Sequence, residues 1–224
     1  MSAIKYIIRG SDYIGAFASV TDKYAFIGFG LTKSNEEVIE DTLKVKIVNT
    51  SMMGSDLIGI FSKANSKGIL FPSMISNYEI DALKKLKLDF NIGILDTDLN
   101  AIGNNILLND NIAFINPDYS IPNAKIIEDV FDVEVVRLST GEFKTVGANN
   151  LLTNKGLIVN NDISDEDKDK VDSITGFNSI RSTANYGSLS VGLSAIANSN
   201  GIIAGEATTG FELERLRQGL DIED

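Results

Sequence analysis

Gly10-Ser-Asp-Tyr-Ile-Gly15-Ala-Phe17 and Gly54-Ser-Asp-Leu-Ile-Gly59-Ile-Phe61 agree at six of eight positions and lie 44 residues apart. The apolar–Gly pair inside each stretch then returns along the chain. It stands at Ile14-Gly15, Ile58-Gly59, Ile102-Gly103, Val146-Gly147 and Val191-Gly192, in steps of 44, 44, 44 and 45. A looser copy of the longer stretch is Gly187-Ser-Leu-Ser-Val-Gly192. Five such units fill nearly all of the 224 residues. A fixed period of this size marks a repeat architecture.

Six residues after each of these glycines comes a small polar residue: Thr21, Asn65, Asn109, Thr153 and Asn198. Turn formers follow at once, as in Asn65-Ser-Lys-Gly68 and Asn198-Ser-Asn-Gly201. Such residues tolerate positive φ or hydrogen-bond their own backbone. With β-prone flanks such as Ile69-Leu-Phe71 and Leu157-Ile-Val159, they predict a hairpin. A helix start comes next. Ser34-x-x-Glu37, Ser76-x-x-Glu79, Ser164-x-x-Asp167 and Thr209-x-x-Glu212 have the capping-box form, in which the hydroxyl takes a free amide and the acid reaches back. They stand 19, 17, 17 and 17 residues after the glycine, which gives the first unit a two-residue insertion. Ser120 also stands at 17, with Pro122 predicting a ragged start. Apolar residues at helical spacing follow: Val38/Ile39/Leu43, Ile80/Leu83/Leu86, Ile126/Ile127/Val130 and Leu213/Leu216/Leu220. A strand then ends each unit, at Val45–Val48, Phe90–Leu95, Val133–Val136 and weakly from Ile180. Lys5-Tyr-Ile-Ile8 has no helix before it and reads as the missing last strand of the fifth unit.

One strand–hairpin–helix unit cannot bury its own apolar face, so neighbours must stack. The displaced N-terminal strand and the lack of polar caps predict closure by the termini, which removes exposed sheet edges. The expected fold is α/β: one domain over residues 1–224, a pseudo-fivefold closed ring with strands inside and helices outside. The glycines are expected to make a tight bend or a close packing contact near the ring axis.

Composition narrows the chemistry. There is no Cys and no His, so Cys–His or Ser–His–Asp catalysis, thiolate zinc and His metal sites are excluded. A carboxylate metal site or an acid pair stays open, with Asp96, Asp98 and Asp110 as candidates, although acids are ordinary at strand ends and turns. Gly10 to Gly15 has the glycine spacing of a phosphate loop but lacks the following Lys-Ser/Thr, and it recurs in a repeat. No apolar run reaches the roughly 20 residues of a membrane helix, and Met1-Ser-Ala-Ile-Lys-Tyr does not read as a signal peptide. The formal net charge is −11, with no basic run. Any contact with RNA therefore calls for a locally basic spot or a basic protein partner.

Several segments in order resemble the archaeal branch of the translation initiation factor 6 family. They include Thr50-Ser-Met-Met-Gly54-Ser55, Ala101-Ile-Gly-Asn104…Asn109-Asp110, Thr153-Asn-Lys-Gly156, Thr183-Ala-Asn-Tyr-Gly187 and Thr208-Thr-Gly-Phe-Glu212. The resemblance runs from about residue 3 to about residue 220. Ala184 departs from it, since an apolar branched residue is usual there. The resemblance implies a pentein-type ring, no catalytic activity and no cofactor. It implies a cytoplasmic factor, expected to be monomeric, on the intersubunit face of the large ribosomal subunit. There it blocks joining of the small subunit and takes part in large-subunit maturation, docking on a ribosomal protein beside the sarcin–ricin loop. Eukaryotic members continue past the last helix, and regulation through that extension is not implied for a chain that stops at Leu220-Asp-Ile-Glu-Asp224.

The ring reading fits such a blocker, because small polar turn residues can satisfy a partner's backbone at little ordering cost. Gly103 and Asn104 are the first candidates for ribosome binding, with Asn65, Asn149 and Asn185 beside them. The alternative for each Asn is a turn residue that satisfies its own loop. Arg215 and Arg217 are further candidates, or else part of a solvated helix face. A guanidino-modifying enzyme on a pentein ring is disfavoured by the missing Cys and His. A protein-binding ring with no ribosomal role remains open.

Overall fold

The computed structural model describes residues 2–223. Strand β1 (Ala3–Tyr6) opens the chain. The first unit is a 3-10 turn at Ile14–Ala16, β2 (Ala18–Val20), β3 (Tyr24–Gly28), α1 (Lys33–Leu43) and β4 (Lys46–Thr50). The second is α2 (Ile58–Phe61), β5 (Lys63–Ala64), β6 (Gly68–Pro72), α3 (Asn77–Lys85) and β7 (Asn91–Leu95). The third is α4 (Ile102–Asn105), β8 (Ile106–Leu108), β9 (Ile112–Ile115), α5 (Ile121–Phe131) and β10 (Glu134–Arg137). The fourth is α6 (Val146–Asn149), β11 (Leu151–Leu152), β12 (Leu157–Asn160), α7 (Asp165–Thr175) and β13 (Ile180–Ser182). The fifth is α8 (Val191–Ser194), β14 (Ala195–Asn198), β15 (Gly201–Gly205) and α9 (Gly210–Gly219). Its third strand is β1, which pairs parallel to β15 with Ile4 opposite Ile203. Each of the five sheets has three strands: an antiparallel hairpin, then a strand parallel to its second arm.

The recurring glycines close this ring by contact. A Cβ on Gly59 would meet the carbonyl oxygen of Gly15 at 1.9 Å, and one on Gly103 would meet that of Gly59 at 1.8 Å. Gly147 stands in the same way against Gly103, Gly192 against Gly147, and Gly15 against Gly192. The circuit returns to its start, so the five backbones pack against one another where no side chain fits. Gly10 and Gly54 answer a different demand. No atom lies within 4 Å of a Cβ there, but φ is +75° and +73°. Each follows a residue that also has positive φ, Arg9 or Met53, in a tight turn of the kind that needs two such residues.

No unit owns a core. Phe26 and Val48 of the first unit pack with Ile58, Phe71 and Leu83 of the second. Leu70 and Leu95 join Ile102 and Phe131 of the third, and Phe114 and Leu138 join Val146 and Val159 of the fourth. Ile158 and Ala184 join Val191 and Leu216 of the fifth. Ile196 and Ile203 then meet Ile14, Ile39 and Leu43 of the first. Each apolar cluster belongs to a junction, which is why stacking and closure decide stability.

The helix starts are more regular than the sequence suggests. The N-cap of α1 is Thr32, paired with Asn35 in a capping box, rather than Ser34 with Glu37. That places all five caps 17 residues after the glycine and removes the supposed insertion. Pro122 does not roughen α5, because proline at the second helical position gives up an amide that has no intrahelical acceptor. The residue three after each cap also clasps the preceding unit. Asn35 donates to the Tyr6 hydroxyl on β1. Glu79 accepts from Ser51 Oγ and Gly54 N. Asn123 donates to the Asp96 carbonyl, and Asp167 accepts from Gly141 N. Glu212 accepts from Thr183 Oγ1 and Gly187 N.

Candidate docking face and axial cavity

The ring has two unlike ends. In every unit the strand after the glycine runs to a hairpin turn, so glycines gather at one end and turns at the other. The turn end binds itself. Asn65 Nδ2 donates to the carbonyls of Asn109 and Phe131, Asn109 Nδ2 to that of Thr153, and Asn198 Nδ2 to those of Thr21 and Leu43. Nearer the axis, Asn154 Nδ2 reaches both Asp22 Oδ2 at 2.9 Å and Asp110 Oδ2 at 2.8 Å. Ser199 donates through N and Oγ to Asp22, and Ser66 N donates to Asp110. Asn109→Ala is expected to cost about 2 kcal/mol in urea unfolding, because it orphans buried backbone groups of two units at once.

The glycine end is different in chemistry. Because β3 runs antiparallel to β2 and β4 parallel to β3, the loop before each helix and the loop after each third strand emerge there. Phe29, Met53, Tyr78, Ile121, Tyr186 and Phe211 lie in these loops or in the first two residues of α3, α5 and α9. Among the described residues they are the large apolar side chains more than half exposed, from 64% for Met53 to 84% for Tyr186.

The candidate residues separate on this frame. Gly103 is one of the five ring glycines. Asn65 is buried at the turn end with both arms of its amide bonded, its oxygen accepting from Lys67 N and Gly68 N. Asn149 is buried, its Oδ1 accepting from Thr145 Oγ1 and its Nδ2 donating to the Leu189 carbonyl. Asn185 donates to the Asp12 carbonyl and accepts from Thr208 Oγ1, with φ +48° in its turn. Arg215 caps the Arg181 carbonyl from Nε at 3.1 Å and lies over the Phe211 ring. Arg217 pairs with Glu214 and donates to the Ile222 carbonyl. Asn65, Asn149, Asn185, Arg215 and Arg217 thus each have side-chain partners within the fold. Asn104 is unlike them: its Oδ1 is buried and has no hydrogen-bond partner. The position is aliphatic in the other four units, at Ala16, Ile60, Ala148 and Leu193.

Asn104 also lines a cavity of about 50 Å³ on the axis, with Ser19 and Lys63. Lys63 is half-buried on β5, and burial pushes its ammonium down to about 8. It makes no hydrogen bond or ion pair among the described residues. Its signal in the sequence is a break in the repeat. Four residues after the glycine the other units carry Ser19, Leu107, Leu151 and Ile196, and a lysine is out of place in that set. Of the acids considered for a metal, Asp110 is occupied in the turn-end network and Asp96 accepts from Ser73 Oγ. Among the described residues no group of three or more acids could hold an ion, and no helix is long and apolar enough to cross a membrane.

Residues 3–219 match the model of the eIF-6 family. Translation initiation factor 6 of Picrophilus torridus is 37% identical, over 95% of this chain and 96% of that protein. Those of Thermococcus onnurineus and Methanocaldococcus jannaschii are each 34% identical, over 98% of both chains. Among solved structures, the C. jejuni agmatine deiminase covers 68% of this chain and 60% of its own, at 15% identity and a TM-score of 0.38. With the family model and the archaeal factors matching along nearly its whole length, the chain belongs to the eIF-6 family of translation initiation factors.

Proposed function

We propose that this chain is a ribosome anti-association factor. It binds the intersubunit face of the large subunit through its glycine end and keeps the small subunit from joining. The observation that carries the reading is Asn104, the lone polar residue of its fivefold set, with an amide oxygen that serves nothing in its own loop. The apolar side chains around the same end suit a protein surface, since an interface core favours aromatic residues and methionine over charge. A blocker of this kind works by occupying space. It needs a rigid plate and a one-sided face, and the packed glycine ring with its unlike ends supplies both. The acidic body favours a basic ribosomal protein as the main contact, with the sarcin–ricin loop of the rRNA alongside. In this reading the chain acts as a monomer, takes part in large-subunit maturation and performs no catalysis.

Co-sedimentation tests the proposal. The protein should travel with free large subunits and not with small ones, and it should lower the yield of joined particles. Asn104→Arg should weaken large-subunit binding by tenfold or more, while its urea midpoint stays close to that of the parent. Undiminished binding by that variant would show that another face docks.

A further inference from the structure

We propose that the axial cavity is a binding site for one small monovalent anion of the chloride class, held by Lys63 Nζ, the Ser19 hydroxyl and the Asn104 amide. Three residues that line it, Ser19, Lys63 and Asn104, carry polar side-chain groups without partners. Ser19 is only 4% exposed, and its Oγ has no hydrogen bond. Asn104 Oδ1 has none either. The Lys63 ammonium brings three donors and one positive charge, and no described residue accepts from it.

A charge drawn into a protein interior is costly unless something pairs with it. The carboxylates on this axis are at the turn end, and Asp22 and Asp110 already accept from Ser199, Asn154 and Ser66. A guest anion would supply the opposite charge that the chain does not place beside Lys63. The cavity of about 50 Å³ is several times the ~10–15 Å³ that one water-sized guest requires, and it is too small for a peptide or a nucleotide. All three groups can point donors at such a guest. The serine hydroxyl rotates freely. The Asn104 amide makes no side-chain hydrogen bond, so turning its NH2 inward breaks none. The site is single although the ring is fivefold, because Leu107, Leu151 and Ile196 stand where Lys63 and Ser19 do. An anion here joins β2, β5 and α4, three neighbouring units, at the level of the glycine contacts.

Bromide is the probe, since it replaces chloride and scatters anomalously. Crystals of the full chain soaked in sodium bromide should show one anomalous peak within hydrogen-bond distance of Lys63 Nζ, and crystals of Lys63→Met should show none. In solution the parent should melt roughly 3 °C higher when bromide or chloride replaces gluconate at equal ionic strength, and Lys63→Met should not respond. Water alone beside Lys63 in the bromide crystals, the same peak in Lys63→Met, or equal melting of the parent in both salts would overturn the assignment. If Lys63→Met does not fold, the bromide peak and the anion response of the parent decide. The site shares Asn104 with the proposed docking face, but the bromide peak and the melting shift are read on the free protein through Lys63, so failure of either reading is distinguishable from failure of the other.

Discussion

Gly103→Ala is expected to cost about 4 kcal/mol of folding stability, at the upper end of what one substitution does. The added methyl would lie 1.8 Å from the carbonyl oxygen of Gly59 and 2.8 Å from that of Ser62. Both obstacles are backbone, so no side-chain rotation relieves them. Nor can Gly59 step aside, since its own Cα abuts the Gly15 carbonyl, and that glycine abuts Gly192. A displacement at one glycine is handed around a closed circuit with no free end. Gly210→Ala is the control. Gly210 is the first residue of α9, with nothing within 4 Å of a Cβ and no positive φ. Alanine there should be neutral or add about 0.5 kcal/mol by restricting the unfolded chain. Urea unfolding of the two variants beside the parent checks both. A loss below 1 kcal/mol for Gly103→Ala would mean that the ring is not packed glycine against glycine.

The features readable from the sequence are those that obey a short-range rule. The glycine period, the hairpins and four of the five caps follow from residue types at fixed spacing, and β1 follows from a strand without its helix. Reading failed where a distant contact chose between equals. Thr32 and Ser34 are both able caps. What selects Thr32 is that its partner Asn35 reaches Tyr6, 29 residues back, on the strand that closes the ring. Leu86 fits the inner stripe of α3 by spacing, yet it is 49% exposed because the helix ends at Lys85. The asparagines show the same limit more sharply. Asn65 and Asn104 look alike on paper, but Asn65 finds the Phe131 carbonyl 66 residues away while the Asn104 oxygen finds nothing. Whether an amide is free for a partner depends on what the fold puts opposite it, and local composition carries no trace of that.

Glu79→Gln should cost roughly 3 kcal/mol at neutral pH, and the loss should shrink as the solution is acidified. Glu79 is 7% exposed. Burial by itself would raise its pKa, but hydrogen bonds from Ser51 Oγ, the amides of Ser76 and Gly54, and Ser76 Oγ outweigh it and bring the carboxyl from the usual 4.5 to about 2. A folded-state value below the unfolded one means that the charged group supports the fold above about pH 4.5. That support is lost as pH falls from there toward 2, and a difference of this size is worth roughly 3 kcal/mol. The glutamine variant should lose it at every pH for a geometric reason. Oε1 accepts from Ser51 Oγ and Gly54 N, and Oε2 accepts from Ser76 N and Ser76 Oγ. An amide must set its NH2 against one of these pairs. A serine hydroxyl can rotate to accept, but a backbone N–H cannot, so either orientation leaves Gly54 N or Ser76 N facing another donor. Parent and variant should therefore differ by roughly 3 kcal/mol in urea at pH 7 and converge near pH 2. A constant gap across that range would show that the cost is packing and not charge. Glu212 holds the turn at Tyr186 and Gly187 in the same way, and its carboxyl is also held below the usual value. Because it clasps a different junction, Glu212→Gln should add its own loss to that of Glu79→Gln within about 0.5 kcal/mol.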